Sequence, residues 1–199
     1  EKFHLITGKN RFEEVMEGLA LCHQIGFSPV KVNAVLLKDL NHDELDAFID
    51  WAGQGINLRF IELMETGDNT AYFEKHHLSG DILVQKLIAG GWQEAPREAM
   101  AGPARVWKHP SRDGSVGLIA PYSKDFCTTC NRLRVSARGG LHLCLFGEGG
   151  HDLRPYLQRD ADKEALKESI CELLDLKVAG HGLHDRNTGA TPHFASIGG

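Results

Sequence analysis

Three cysteines carry the sharpest chemical signal in this 199-residue sequence. Cys127 and Cys130 stand three positions apart, and Cys144 follows after thirteen intervening residues. Two thiolates at that spacing on a turn can grip one metal centre, and a chain that doubles back brings up a third. A structural zinc site is closed by four ligands, and a [4Fe–4S] cluster is normally held by four cysteines. A three-cysteine set would leave one iron of such a cluster open to bind something else. A zinc site completed by His142 or His151 accounts for the same spacing, as do plain reduced thiols.

Cations crowd the same stretch: Lys124, Arg132, Arg134 and Arg138 lie close together in a chain of net charge −5. Arg132 and Arg134 are two apart, so on a strand they share a face. Paired guanidiniums suit carboxylate or phosphate oxygens, which they hold bidentately; a solvated strand face is the plainer alternative. Further upstream, Lys31 and Asn33 share one face of an apolar strand pattern, and Arg59 interrupts another. Charges in such places are costly unless paired. They either form a buried ion pair, for instance with Glu62 or Glu65, or point from a barrel wall at an anionic ligand. Met64, at the end of the second pattern, is a core residue or a ligand contact. His76-His77 read as surface residues, and Cys22 and Cys171 as core thiols on helix faces. Gly147-Glu148-Gly149-Gly150 lacks the Lys-Ser/Thr of a phosphate-binding loop.

The elements that must position these groups change character along the chain. Helical spacing of Phe12, Val15, Met16, Leu19 and Cys22 predicts a helix over 11–25, stopped by Gly26 as a C-cap. Val30–Leu37 and Asn57–Met64 read as strands buried on both faces, with a weaker third at Phe3–Ile6. Between them Asn41 and Glu44 have capping-box spacing ahead of Phe48, Ile49 and Trp51. Alternating strands and helices imply parallel crossovers. Beyond Thr66-Gly67-Asp68-Asn69, Ser79 opens a helix through Leu87 that ends at Gly90-Gly91. Two hairpins follow, Ala104–His109 with Val116–Ala120 and Arg132–Ala137 with Leu141–Phe146, then a helix from about Asp162 to Leu176. This predicts a parallel α/β part over 1–70 and an α+β part over 71–199, with a loop-like tail over 177–199.

Composition narrows the class. At 42% hydrophobic and 25% charged, the chain is an ordinary globular protein, long enough to bury a core without disulfide staples. An acidic chain does not suit a general DNA binder, and no stretch approaches roughly 18 consecutive apolar residues, so no membrane span is expected. No secretion signal is visible at Glu1-Lys2-Phe3-His4, so five cysteines favour metal ligation in the cytoplasm over disulfides. Two or three strands are few for a parallel sheet. With no initiator Met, the expectation is that N-terminal strands are missing and that the edge they leave at Phe3–Ile6 drives self-association.

Asp125-Phe126-Cys127-Thr-Thr-Cys130-Asn131-Arg132-Leu133-Arg134 together with Leu143-Cys144-Leu145-Phe146-Gly147 strongly resemble the C-terminal region of the radical S-adenosylmethionine GTP 3′,8-cyclases of molybdenum cofactor biosynthesis. The resemblance runs through Lys31-Val-Asn33, Arg59-Phe-Ile-Glu-Leu-Met64-Glu-Thr-Gly67, Gly117-Leu-Ile-Ala-Pro121, Asn187-Thr-Gly189 and Ser196-Ile-Gly-Gly199. It implies the C-terminal part of an incomplete (β/α) TIM-type barrel followed by an α+β cluster-binding region. It implies a second [4Fe–4S] cluster on Cys127, Cys130 and Cys144 whose open iron takes the guanine of GTP. Lys31, Arg59, Arg132 and Arg134 would then contact GTP, and Met64 would contact S-adenosylmethionine. The tail glycines Gly198 and Gly199 would reach the active site and be needed for catalysis, and Arg186 could add a phosphate contact. In the family reaction a 5′-deoxyadenosyl radical abstracts H3′ of GTP, and the ribose carbon attacks C8 of guanine to give 3′,8-cyclo-7,8-dihydro-GTP.

One departure bears on activity. The CxxxCxxC motif that holds the first cluster of radical S-adenosylmethionine enzymes does not occur in this sequence. The first cluster and S-adenosylmethionine would thus belong to a longer chain, and this chain alone is expected to be inactive. Two other readings compete: a structural zinc module, and a peptide-modifying radical enzyme with an auxiliary cluster, which would want more cysteines near the second site.

Overall fold

The computed structural model describes residues 1–98, 101–128, 130–190 and 193–197. They form two compact units, Glu1–Leu63 with Glu74–Ala120, and Met64–Phe73 with Pro121–Gly199. Strand pairing therefore draws the boundary elsewhere than the 1–70 and 71–199 division that composition suggests.

In the first unit, the aliphatic run Lys31–Leu36 forms strand β1 and Asn57–Glu62 forms β2, paired in parallel with Lys31 opposite Asn57 and Asn33 opposite Arg59. The third parallel strand is β3 (Ser115–Ile119), with Gly117 opposite Arg59. It is also one arm of the first expected hairpin, pairing antiparallel with β4 (Arg105–Lys108), which pairs with the short β5 (Gln93–Glu94). Across the open sheet the strands run β1, β2, β3, β4, β5. The result is a mixed α/β sheet. Helices α1 (Leu45–Ala52) and α2 (Asp81–Ala89) cover one face, packing Leu45, Ile49, Ala52, Leu83 and Leu87 against Leu36, Leu58, Phe60, Trp107, Val116 and Leu118. Gly114 lets the hairpin approach α1: a Cβ there would lie 1.8 Å from the Ala52 carbonyl oxygen.

Four local expectations change. Phe3–Ile6 is helical, within Lys2–Thr7, because the segment pairs with no strand. β1 is an edge strand, so its outer face is exposed, with Val35 at 38%. Asn41 caps nothing; its buried side chain accepts from the Leu37 N–H (2.9 Å) and donates to the Val35 carbonyl (2.8 Å), satisfying the backbone where β1 ends. The expected 11–25 helix forms over Phe12–Gln24, but its apolar residues Phe12, Val15 and Leu21 are exposed. Its end follows the glycine rule: Gly26 has φ +86°, Gly26 N–H donates to His23 and Phe27 N–H to Cys22.

The second unit is built on a three-stranded antiparallel meander, β6 (Arg134–Val135), β7 (Gly140–His142) and β8 (His151–Asp152). Helix α3 (Lys163–Leu174) lays Leu166, Ile170 and Leu173 on Leu141, Leu143 and Leu153. The tail is less loop-like than its composition: short 3₁₀ turns form at Leu183–Asp185 and Phe194–Ile197, and Leu183 and Ile197 are buried. Among the described residues no helix is long and apolar enough to cross a membrane.

Candidate functional site

Cys127 and Cys130 sit on consecutive tight turns before β6, where Thr128 N–H donates to Asp125 and Cys130 N–H to Cys127. The β6–β7 pairing sets Arg134 opposite His142. Continued past the strand end, that register puts residue 132 opposite 144, so the hairpin returns Cys144 toward the first two cysteines. All three are free and half-buried. Burial pushes the Cys127 thiol up; the charges of Cys144 and Cys130 push it further, while a backbone hydrogen bond from His181 and the Lys177 ammonium pull it down. The thiols thus share one electrostatic field, although among the described residues no three His, Cys, Asp or Glu side chains stand as a ready metal-holding group. Burial, then the charges of Arg134 and His151, holds His142 below the usual imidazole range.

Arg132 and Arg134 are both half-buried with exposed Leu133 between them, as residues on one face should be. Burial lowers Arg134, and the charge of Arg132 lowers it further. Two like charges held together and partly desolvated favour an anion between them. Lys124 and Arg138 are exposed.

Lys31, Asn33 and Arg59 lie on the face of the sheet opposite the helices. The buried ion pair does not form. Glu62, 3% exposed, turns to the helix-side face and meets His77 Nε2 at 2.9 Å, while Glu65 pairs with Arg186. Lys31 is exposed because β1 is an edge, so it needs no buried partner. The Arg59 stem crosses Gly117, where a Cβ would come 3.0 Å from its Cγ, so the glycine gives that side chain its path.

Met64 is half-buried at the start of a turn in which Asn69 Nδ2 donates to the Met64 carbonyl (2.9 Å) and Thr66 N–H donates to Asn69 Oδ1 (2.8 Å). The next residue, Glu65, is 4% exposed; its N–H donates to the Tyr122 hydroxyl (3.1 Å) and its carboxylate accepts from Arg186 at 2.9 and 3.3 Å. Arg186 is thereby engaged by a carboxylate within the protein, with its side chain 55% exposed. Gly198 and Gly199 lie outside the described residues. Contrary to the surface and core positions expected of them, His76 is buried, with its Nδ1 on the Lys38 carbonyl (2.9 Å), and Cys171 is exposed.

Two residues near the thiols escaped the sequence reading. His181 packs edge-on against Phe146 (5.3 Å between centroids) and stacks on His184, and its Nε2 donates to the Pro121 carbonyl (3.0 Å). Lys177 donates to the carbonyls of Arg132 (3.1 Å) and Leu143. The His181-Gly-Leu-His184 spacing could have drawn attention to the first; nothing in the sequence marks Lys177 apart from other lysines.

Comparison with known proteins places relatives beside this geometry. The family model described as Molybdenum Cofactor Synthesis C matches residues 56–183. A protein of Stenotrophomonas maltophilia strain K279a named GTP 3′,8-cyclase is 57% identical over 200 residues, covering 100% of this chain and 61% of that protein. Proteins of the same name from Vibrio parahaemolyticus and Psychromonas ingrahamii are 55% and 54% identical over 198 residues, each across 99% of this chain and 59% and 58% of their own lengths. The chain spans about three-fifths of the length of the relatives it matches.

Proposed function

Since the chain belongs to the Molybdenum Cofactor Synthesis C family, we propose that it is the part of a GTP 3′,8-cyclase that binds GTP beside a [4Fe–4S] cluster. The observation that carries this reading is three free, half-buried thiols, Cys127, Cys130 and Cys144, with the two half-buried guanidiniums of Arg132 and Arg134 following directly after the first two in the chain. The donor chemistry fits: three thiols on two neighbouring segments, and cations to offset their charge. Cys127, Cys130 and Cys144 would hold the cluster. When bound, it would supply an open iron as a Lewis acid for the guanine. Arg132 and Arg134, and on the sheet Lys31 and Arg59, would neutralise the triphosphate. Met64 would contact S-adenosylmethionine, and Gly198 and Gly199, lacking side chains, would bring backbone close to the substrate.

The parallel trio β1, β2 and β3 is read as the C-terminal strands of an incomplete (β/α) barrel. The reaction proposed for the whole protein converts GTP to 3′,8-cyclo-7,8-dihydro-GTP, in the cytoplasm, where thiols stay reduced. The S-adenosylmethionine-cleaving cluster would come from sequence beyond this chain, so the chain alone forms no 5′-deoxyadenosine.

The test is anaerobic reconstitution with ferrous iron and sulfide, followed by metal analysis and GTP binding. Roughly four irons per chain are expected, lost on Cys127→Ser, with GTP bound only by the loaded protein. One zinc per chain, or GTP binding indifferent to iron, would overturn the reading.

A further inference from the structure

Lys177 is three residues past the end of α3, and its N–H donates to the Leu174 carbonyl (3.0 Å). The helix itself is fixed through Leu166, Ile170 and Leu173. From that base the half-buried side chain reaches two main-chain carbonyls: Arg132, two residues after Cys130, and Leu143, the residue before Cys144. We infer that Lys177 is the positioning residue that ties the two cysteine-bearing segments into one site.

The inference rests on the three-cysteine reading and deepens it. The β6–β7 ladder spans only the pairs Arg134–His142 and Val135–Leu141. It ends before it reaches the cysteines. An ammonium has three donors and no acceptor, so one lysine can cross-link both strands just where their own pairing stops. A half-buried ammonium needs such partners, since an unsatisfied one is costly. Its charge also sits in the field of Cys127, opposing the mutual repulsion that three thiolates would feel. An aliphatic side chain of similar length would fill the space, but neither bond nor charge would remain.

The test compares Lys177→Met, Lys177→Gln and Lys177→Arg with the parent in the protein that contains this chain, each checked for folding by circular dichroism. After iron–sulfide loading, Lys177→Met and Lys177→Gln should lose iron to a chelator at roughly 10- to 100-fold lower chelator concentration. Lys177→Arg, which keeps both charge and multiple donors, should hold iron as the parent does. A second readout uses metal-free protein: iodoacetamide should alkylate Cys144 several-fold faster in the Met and Gln variants than in the parent or the Arg variant. If folded Met or Gln variants match the parent in both readouts, or if Lys177→Arg fails as badly as they do, the inference is wrong. A parent that takes up no iron would overturn the three-cysteine reading, and the alkylation rates would still decide the role of Lys177.

Discussion

Glu65 shows how a single side chain can be committed by its surroundings. Its carboxylate is almost wholly buried, and the Arg186 guanidinium holds it at two oxygens. Removing the arginine strands a charge away from water. The Arg186 side chain is itself 55% exposed, so the cost falls below that of a fully buried pair. Arg186→Ala should destabilise the protein by about 1–3 kcal/mol, read from the urea midpoint, and Glu65→Gln by less. Arg132 and Arg134 are in the opposite position: burial first, and then the charge of Arg132, lowers Arg134, and among the described residues no ion pair with a carboxylate is formed by either. Each alanine variant should weaken GTP binding by about ten- to a hundredfold in titration calorimetry of the loaded protein, with little change in urea midpoint. Arg186→Ala should lower GTP affinity less than either.

At the scale of elements, the sheet is most sensitive where backbone meets backbone. Gly114→Ala would drive a methyl into the Ala52 carbonyl, and neither α1 nor the hairpin can yield as a flexible side chain could. A loss of about 3 kcal/mol or more is expected, measured by denaturant unfolding. The far edge is held more lightly. Arg105 lies over the Trp107 ring (4.8 Å) and donates to Glu94 on the two-residue strand β5. That hydrogen bond holds the Glu94 carboxyl below its ordinary value, against burial. A depressed carboxylate contributes stability above its unfolded value near 4.5, and loses it as pH falls through the folded value. Both partners are about half exposed, so the contribution is under about 1 kcal/mol. Unfolding midpoints of the parent and Arg105→Met should therefore differ at pH 7, and the difference should narrow as pH falls through the depressed Glu94 value, leaving only the part due to the Trp107 contact.

For the molecule as a whole, the exposed edge of β1 and the outward apolar residues of the Phe12–Gln24 helix matter most. An unpaired strand edge offers hydrogen bonds to any second edge, and exposed Phe12, Val15 and Leu21 add apolar area. Concentration-dependent self-association is expected in light scattering, reduced by Val35→Lys, which puts a charge on that edge. The interface is thus expected at β1, not at Phe3–Ile6, which is helical.

What the sequence determined by itself is local. Spacing alone marked Cys127, Cys130 and Cys144, the arginine pair, both hairpins, β1, β2 and the helices around them, because period and turn chemistry act over a few residues. The tertiary structure decided which strands meet. β3 reads as a hairpin arm from its neighbours, yet it is also a parallel partner of β2, and that pairing takes 74–120 into the first unit. It decided which charges are paired: Glu62 faces His77 and Glu65 faces Arg186, choices made by residues 15 and 121 positions away. Asn41 had the spacing of a cap and became a backbone anchor because the nearest unsatisfied groups lay at the end of β1. Lys177 carried no signal, since a lysine acquires its role only when folding brings the carbonyls of two distant segments within reach of its ammonium.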